Sequence, residues 1–592
     1  MISQLIKKAE FWLDNLEDKS DQRKIKSLIN KPEELEDSFY RNLDFGTGGM
    51  RGVMGIGSNR INKYTVSRAC LGIVRFLLVN LNLKKKERPC IAIAYDSRNK
   101  SEFFAKLAAK IFYLNNIEVE IFEELKPTPM LSFLVIEKKC DLGLVFTASH
   151  NPKEYNGLKV FDKSGNQITS PKDTILIDII NQISFLQVFE FLKKFNVQLK
   201  QSLNRKFNNA TTQVPFTQAK VVKISTPNID QDFFTKIKEL KYSFSKNTSS
   251  KQLKIVYTGL HGTGVKVIPK ALKYLGFNNI LTTKEQDLIS GDFPTVISPN
   301  PEEPEALNLA IKLAKKNNVD LVFGTDPDSD RVGVAVKEDN EEGYILLNGN
   351  QTGALILNYL LLNLKDQNRL EANNYIIKSV VTSDLLKEMA SRYDIITHET
   401  LTGFKYMANV ILENKNKKKF LFAAEESYGY LMGNYVLDKD AVTASVIISE
   451  MYAWLNENKT SIIKFLHEIY LNYGVFYEDM MSFVKKGKKG NQEIKNLMKG
   501  FRTKFPGKIL NKKISEKRDY LSYKGFPKTD MLQFLTEEGL KVSIRPSGTE
   551  PKIKFYFSIS KKIRSHGEIK ETLRDLKFKV NKVKKELVNF MN

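Results

Sequence analysis

Short apolar runs alternate with amphipathic stretches along this chain, and that alternation restricts it to an α/β layered fold. Cys90 to Tyr95 reads as a buried strand ending in Asp96-Ser97-Arg98. A helical stretch from Glu102 to Leu114 follows, then a strand from Glu118 to Phe122. Leu253 to Tyr257 predicts another strand, which runs through Thr258-Gly259-Leu260-His261-Gly262-Thr263-Gly264 into a helix near Val267. Asp320 to Phe323 and Lys419 to Ala423 read as further strands, and Lys541 to Ile544 with Ile553 to Ser558 belong to a C-terminal unit. At 592 residues the chain is long enough for three to five domains of ~100–200 residues each. The polar region from Phe195 to Gln252 holds one boundary, Glu338 to Gly343 a surface turn, and Asn472 to Gly474 a second break. The expected units are therefore 1–215, 216–335, 336–474 and 475–592. Neither an internal repeat nor a low-complexity tract is visible.

Composition narrows the class. A hydrophobic fraction of 42% is ample for several packed cores. Cys70, Cys90 and Cys140 are too few and too widely spaced for a disulfide framework or a CxxC metal site, which points to a reducing compartment. The N-terminal stretch lacks the apolar core and cleavage site of a signal peptide. Apolar runs such as Ala354 to Leu364 are too short to span a bilayer. A soluble, cytoplasmic protein with no membrane partner is expected. The net charge of +24 raises the question of nucleic acid. Its lysines, however, scatter over the whole chain among asparagine and isoleucine, and the clusters Lys84 to Lys86, Lys415 to Lys419 and Lys485 to Lys489 lack the interleaved aromatics that stack bases. No nucleic-acid partner is expected; the charge serves solubility and the steering of anionic metabolites.

Four loops carry candidate chemistry. In Leu144-Val-Phe-Thr147-Ala148-Ser149-His150-Asn151-Pro152, an apolar strand delivers a serine into a sharp turn, with Asn156-Gly157 and Lys159 following. Open α/β sheets place ligands at such strand ends. Ser149 can carry a covalent group there and Lys159 can move a proton, although serines in such loops also serve as plain caps and turn formers. Leu321-Val-Phe323-Gly324-Thr325-Asp326-Pro327-Asp328-Ser329-Asp330-Arg331 places three alternating carboxylates behind a strand, hard oxygen ligands suited to Mg²⁺. An EF-hand would need Gly and Glu where Arg331 and Lys337 stand. An aspartyl-phosphatase nucleophile fits the third Asp and the adjacent Arg less well, and a solvated acidic loop is the plain alternative. Arg545-Pro546-Ser547-Gly548-Thr549-Glu550-Pro551 combines a guanidinium fork, two hydroxyls and a glycine, a grip for a phosphate or simply a good turn. Glu425-Glu426-Ser427 suits sugar hydroxyls or a helix N-terminus, and Leu401-Thr402-Gly403-Phe404-Lys405 presents a lysine from a glycine turn.

In chain order, with the serine loop first and then the aspartate, Glu425-Glu426-Ser427 and Arg545 loops, the four resemble those of the α-D-phosphohexomutase superfamily. Phe45 to Gly52, Leu260 to Gly264 and Glu426 to Tyr430 are similar to its long bacterial phosphoglucomutase/phosphomannomutase branch, which also includes enzymes acting on phosphopentoses or making glucose 1,6-bisphosphate. The resemblance implies a four-domain, heart-shaped α/β enzyme, with three related α/β domains and a smaller α+β C-terminal domain around a central cleft. It implies an intramolecular phosphotransferase interconverting hexose 1-phosphate and hexose 6-phosphate, with glucose as the leading sugar. The expected cofactors are one Mg²⁺ per site and glucose 1,6-bisphosphate as activator and intermediate; sugar phosphates are the expected partners, and a monomer or weak dimer the expected state. Carried over residue by residue, Ser149 is the phosphorylated residue and, with Asp326, Asp328 and Asp330, a metal ligand. Lys159 is the general acid/base, with His150, Arg51 and Arg331 at the reaction centre. Glu425, Ser427 and Lys405 would read the sugar, and Arg545, Ser547, Gly548 and Thr549 would hold the distal phosphate. Lys405 stands in a loop that bears His in some relatives.

Overall fold

The structure, a computed structural model, describes residues 2–46, 48–80, 88–203, 220–224, 226–245, 252–338, 343–485, 487–547 and 552–591. Three α/β sheets follow one another and repeat one strand order. In the first, Cys90–Tyr95 lies centrally, with Glu118–Phe122 parallel on one side and Leu142–Phe146 parallel on the other; Tyr155–Asp162 then returns antiparallel. The second sheet uses Ile255–Thr258, Ile280–Thr282, Leu321–Thr325 and Val332–Lys337 in those same roles. The third uses Asn374–Ser379, Ile396–Thr400, Lys419–Glu425 and Gly429–Leu431. This repetition is carried by topology and escaped the reading of residues.

The third strand of the first and second units is short and almost wholly apolar because helices cover both faces of a parallel sheet. Every residue of Leu142–Phe146 and of Leu321–Thr325 is buried. Helix Thr128–Glu137, opened by Pro127 and Pro129, is buried over most of its length against the first sheet. The edge strand Gly49–Val53 pairs with Tyr155–Asp162, and Val221–Ile224 closes the opposite edge beyond Glu118–Phe122. The first sheet therefore takes its last strand from beyond residue 215.

The C-terminal unit is antiparallel throughout, in the order Val475–Val484, Lys552–Lys561, Lys541–Pro546, Leu532–Thr536, Lys512–Asp519 and Lys508–Ile509. Helix Ile569–Met591 lies on it with Ile569, Leu576, Val580, Val583 and Leu587 buried, an amphipathic spacing that gives it one apolar face. One continuous apolar core runs from Ala92 through the second and third units to Leu587. All three cysteines are free, with the Cys90 and Cys140 sulfurs 3.2 Å apart. Among the described residues no single helix is long and apolar enough to cross a membrane; helices Lys172–Asn181 and Phe185–Lys194 reach that length only as a pair bent by 79°.

Candidate active site

Because the three sheets share one order, the turn after each third strand occupies the same position, beside the crevice where the strand order reverses. Those turns hold Ser149, Asp326-Pro327-Asp328-Ser329-Asp330 and Glu425-Glu426-Ser427. Each contains one non-glycine residue in the left-handed region, with φ of 51° at Ser149, 50° at Ser329 and 66° at Tyr428. Backbone hydrogen bonds tie the turns together across units: Thr128 N donates to Asp328 O at 2.8 Å, Val332 N to Tyr428 O at 3.1 Å, and Ala441 N to Ser329 O at 3.3 Å. Gly262 makes the middle turn possible, since a Cβ there would stand 2.4 Å from Pro327 Cα.

Ser149 is buried at the head of its turn, and its Oγ donates to Asp326 Oδ2 at 2.6 Å across the boundary between the first and second units. His150 Nδ1 lies 3.1 Å from the same Oγ. Lys159, which follows on the return strand, reaches Asp328 Oδ2 at 2.7 Å and Asp330 Oδ2 at 3.0 Å. Thr128 Oγ1 donates to Asp328 Oδ2 at 2.8 Å. Arg51 NH1 donates to Asn151 Oδ1 at 3.1 Å, so it braces the serine turn from the edge strand. Arg331 NH1 pairs with Glu302 Oε1 at 2.5 Å.

The carboxylates compete for a few cations. Burial, reinforced by the charges of Asp328 and Asp330, raises the Asp326 pKa well above the ordinary range. Burial would raise Asp330 too, but Lys159, Lys439 and Arg331 outweigh it and hold that carboxyl far below its usual value. Asp328 is lowered for the same reason, with Lys159 its main counter-charge against burial and Asp330. His150 is held well below its ordinary pKa by burial and by the nearby charges of Arg331, Arg51 and Lys554, so its ring is neutral.

The three aspartates are suited to a divalent cation. One ligand oxygen from each lies within 4.8 Å of the others, all three residues are buried, and Asp328 Oδ1 and Asp330 Oδ1 have no hydrogen-bond partner. Buried carboxylate oxygens left without a donor are costly, and a hard cation satisfies all of them at once. The donor set contains oxygen and no sulfur or imidazole, which fits Mg²⁺.

Glu425 lies within electrostatic reach of Arg331 and Lys439, and Arg545 within that of Lys405. Glu425 Oε1 accepts from Gly403 N at 2.7 Å, which joins the third-unit turn to the loop before Lys405. Glu426 turns back into its own unit, accepting from Ser379 Oγ and Thr382 Oγ1 at 3.0 Å each. Ser427 is half-buried beside it. Lys405 is buried, with Nζ 4.0 Å from Asp173 Oδ2 of the first unit; burial lowers its pKa, with Asp173 opposing and Arg545 adding to the shift. Arg545 is the penultimate residue of strand Lys541–Pro546, and Ser547 N donates to Lys552 O at 2.7 Å. Gly548 and Thr549 lie outside the described residues.

Three polar groups at the centre carried no signal in the sequence. Lys439 Nζ sits 3.2 Å from Asp330 Oδ2 and 3.4 Å from Asp438 Oδ1, and both anions raise its pKa against burial. Glu302 holds Arg331, and Thr128 holds Asp328. Lys439 follows no strand-end pattern, and only its Asp438-Lys439-Asp440 setting hints at a polar role. A separate cavity of about 580 Å³, lined in part by Tyr242, Arg369, Lys415 and Lys419, opens at the amino ends of the third sheet, away from these turns.

Known proteins match most of the chain. Family profiles described as phosphoglucomutase/phosphomannomutase, alpha/beta/alpha domains I, II and III match residues 42–187, 231–341 and 348–473. A phosphoglucomutase of Staphylococcus haemolyticus is 34% identical over 537 residues, covering 89% of this chain and 92% of the relative. One from Staphylococcus epidermidis is 33% identical over 563 residues, covering 93% and 96%. Among solved structures, the open form of the Paramecium phosphoglucomutase parafusin superposes with a TM-score of 0.65 at 18% identity, covering 93% of this chain and 96% of that one. A putative phosphomannomutase from Thermus thermophilus superposes with a TM-score of 0.62 at 17% identity, covering 91% and 99%. At such identities the structural likeness speaks to the fold alone.

Proposed function

The chain belongs to the phosphoglucomutase/phosphomannomutase family, and from that membership we propose that it interconverts α-D-glucose 1-phosphate and glucose 6-phosphate through phosphorylated Ser149 and a glucose 1,6-bisphosphate intermediate. Members of this family are intramolecular phosphotransferases. The observation that supports the route most is the 2.6 Å hydrogen bond from Ser149 Oγ to Asp326 beside two orphaned aspartate oxygens.

Phosphate monoesters resist hydrolysis strongly, so their transfer requires a large lowering of the barrier. Alignment and charge stabilisation provide most of that lowering. Ser149 Oγ carries the phosphoryl group and passes it to the free hydroxyl of the bound monophosphate. Asp326, Asp328 and Asp330 would hold Mg²⁺, which when bound draws negative charge from the transferring phosphoryl oxygens. Lys159 is the candidate general acid/base for the sugar hydroxyl; Asp328 and Asp330 raise its pKa against the opposing effect of burial, which favours the acid role. With the Ser149 proton directed to Asp326, a neutral His150 that carries its proton on Nδ1 can donate to the same Oγ while the serine is unphosphorylated. Arg51, Arg331 and Lys439 add fixed positive charge around the phosphoryl group.

Glu425 and Ser427 read sugar hydroxyls, with Lys405 flanking them. Arg545, Ser547, Gly548 and Thr549 grip the phosphate that is not in transit. The bisphosphate turns end for end and returns its other phosphoryl group to Ser149. Free sugar phosphates are the partners in this reading, and the cytoplasm is the compartment that supplies them.

A coupled assay comparing glucose 1-phosphate, mannose 1-phosphate and ribose 1-phosphate tests the substrate, with glucose 1-phosphate expected fastest. Ser149→Ala should abolish isomerisation and leave a folded protein; near-normal turnover would reject the nucleophile. Chelation should silence the enzyme and Mg²⁺ restore it, whereas full activity after exhaustive chelation would reject the metal. Inorganic phosphate released in place of isomer would mark a phosphatase instead.

A further inference from the structure

Strand Cys90–Tyr95 is the central strand of the first sheet, and Asp96-Ser97-Arg98 follows its carboxyl end, directly beneath the Ser149 turn. The Arg98 side chain is fully buried. Its NH1 donates to Pro152 O at 2.9 Å and Tyr155 O at 3.1 Å, and its NH2 to Ser149 O at 2.5 Å and to Asn151 O. Four carbonyls of one turn thus converge on a single guanidinium. The cation is itself held in place. Its Nε is 3.5 Å from Asp96 Oδ2, and the Phe293 ring of the second unit lies 5.0 Å from its Cζ. Asp96 in turn accepts from Arg98 N at 2.9 Å and Ser101 Oγ at 2.7 Å.

We propose that Arg98 is a positioning residue for phosphoryl transfer, setting where Ser149 Oγ stands by clamping the backbone of its turn. It makes no contact with Ser149 Oγ and acts through the carbonyls alone. Ser149 occupies a left-handed conformation that non-glycine residues seldom adopt, so its turn needs an external hold to keep one shape. Four inward-facing buried carbonyls need donors, and the planar fork of a guanidinium supplies four in fixed directions. The compact ammonium of lysine has only three donors in a different geometry. Reacting atoms misplaced by about 1 Å can cost about a hundredfold in rate.

This inference rests on Ser149 being the phosphorylated residue. The test is Arg98→Lys in the full chain, compared with Val74→Ala, which opens a small cavity in a helix of the same unit remote from the turn. With glucose 1-phosphate as substrate, Arg98→Lys is expected to lose about a hundredfold in kcat. Its KM should stay within about threefold of wild type, and Ser149 phosphorylation by glucose 1,6-bisphosphate, followed by mass spectrometry, should slow in step with kcat. A purely structural role predicts a kcat loss no greater than that of Val74→Ala at equal loss of Tm, and that result would overturn the proposal. If Arg98→Lys does not fold, Asp96→Asn, which leaves the guanidinium but removes the charge that pins it, should lower kcat about tenfold; an unchanged kcat there would also overturn it. Active Ser149→Ala would sink the Ser149 reading itself. Inactive Ser149→Ala beside an Arg98→Lys enzyme as active as Val74→Ala would sink only the role of Arg98.

Discussion

Gly429 has no side chain because the stem of Lys439 lies across it: a Cβ there would stand 2.0 Å from Lys439 Cδ. The same contact places Lys439 Nζ at Asp330, opposite Lys159, so that two lysines share one carboxylate oxygen. Gly429→Ala should cost about 1–3 kcal/mol through overpacking, and should lower kcat more than that loss explains because Lys439 is displaced. Thermal unfolding and steady-state kinetics on one preparation separate the two effects. Lys439→Met, which keeps most of the stem, should hold Tm nearly constant while kcat falls about 10–100-fold through lost charge stabilisation. A variant with unimpaired kcat would show that Lys439 only packs. At this scale the sequence was readable where a candidate residue follows a strand, as Ser149 and the three aspartates do. It was unreadable for Lys439 and Glu302, whose neighbours along the chain say nothing about their neighbours in space.

Helix Ala441–Glu457 starts two residues after Lys439, and its cap shows how an element aims a side chain. Asp440 accepts from Val442 N at 2.9 Å and Thr443 N at 3.1 Å, and its other oxygen accepts from Tyr435 Oη at 3.0 Å. Asp440→Ala should destabilise the protein by about 2 kcal/mol or more, since it removes a cap and leaves buried donors unpaired. Asp440→Asn retains an acceptor and should cost under about 1 kcal/mol. Chemical denaturation of both variants tests this, and equal losses would remove the cap from the explanation. Among the strands, Cys90–Tyr95 and Glu118–Phe122 have the bounds their apolar runs predict. Strand Lys419–Glu425 runs two residues past the predicted Ala423, since Ala424 and Glu425 pair with Tyr430 and Gly429. A cross-strand partner extended it, and local composition carries no record of that partner.

Across the whole molecule, the third and fourth units meet over a cluster of charges. Lys378 Nζ lies 2.8 Å from both Asp384 Oδ1 and Glu399 Oε1, and Lys541 of the fourth unit is 2.7 Å from Asp384 Oδ2. Glu478 of the fourth unit accepts from Ser383 Oγ of the third. Burial pushes Glu478 up to about 7, against the opposing hydrogen bond from Ser383 and the charge of Lys541. A carboxyl raised from 4.5 to about 7 binds more protons folded than unfolded between those values. Stability therefore falls as pH rises through that window, and the charged carboxylate costs most above it. Glu478→Gln should flatten this part of the profile and gain Tm relative to wild type above about pH 7. Parallel Tm curves for the two proteins would remove Glu478 as the cause.

From residues alone came the α/β class, the strand-end chemistry and the resemblance that joins four loops into one site, because hydrophobic period and turn chemistry are local properties written directly in the chain. The resemblance implied three related α/β domains, but their shared strand order rests on pairing, leaves the residues free to diverge and became visible only in the folded sheets. Folding was also needed to bring Ser149 against Asp326, 177 positions away, and Lys439 against Asp330. Contacts of that kind depend on how whole layers pack, and no stretch of sequence short enough to read by pattern contains both partners.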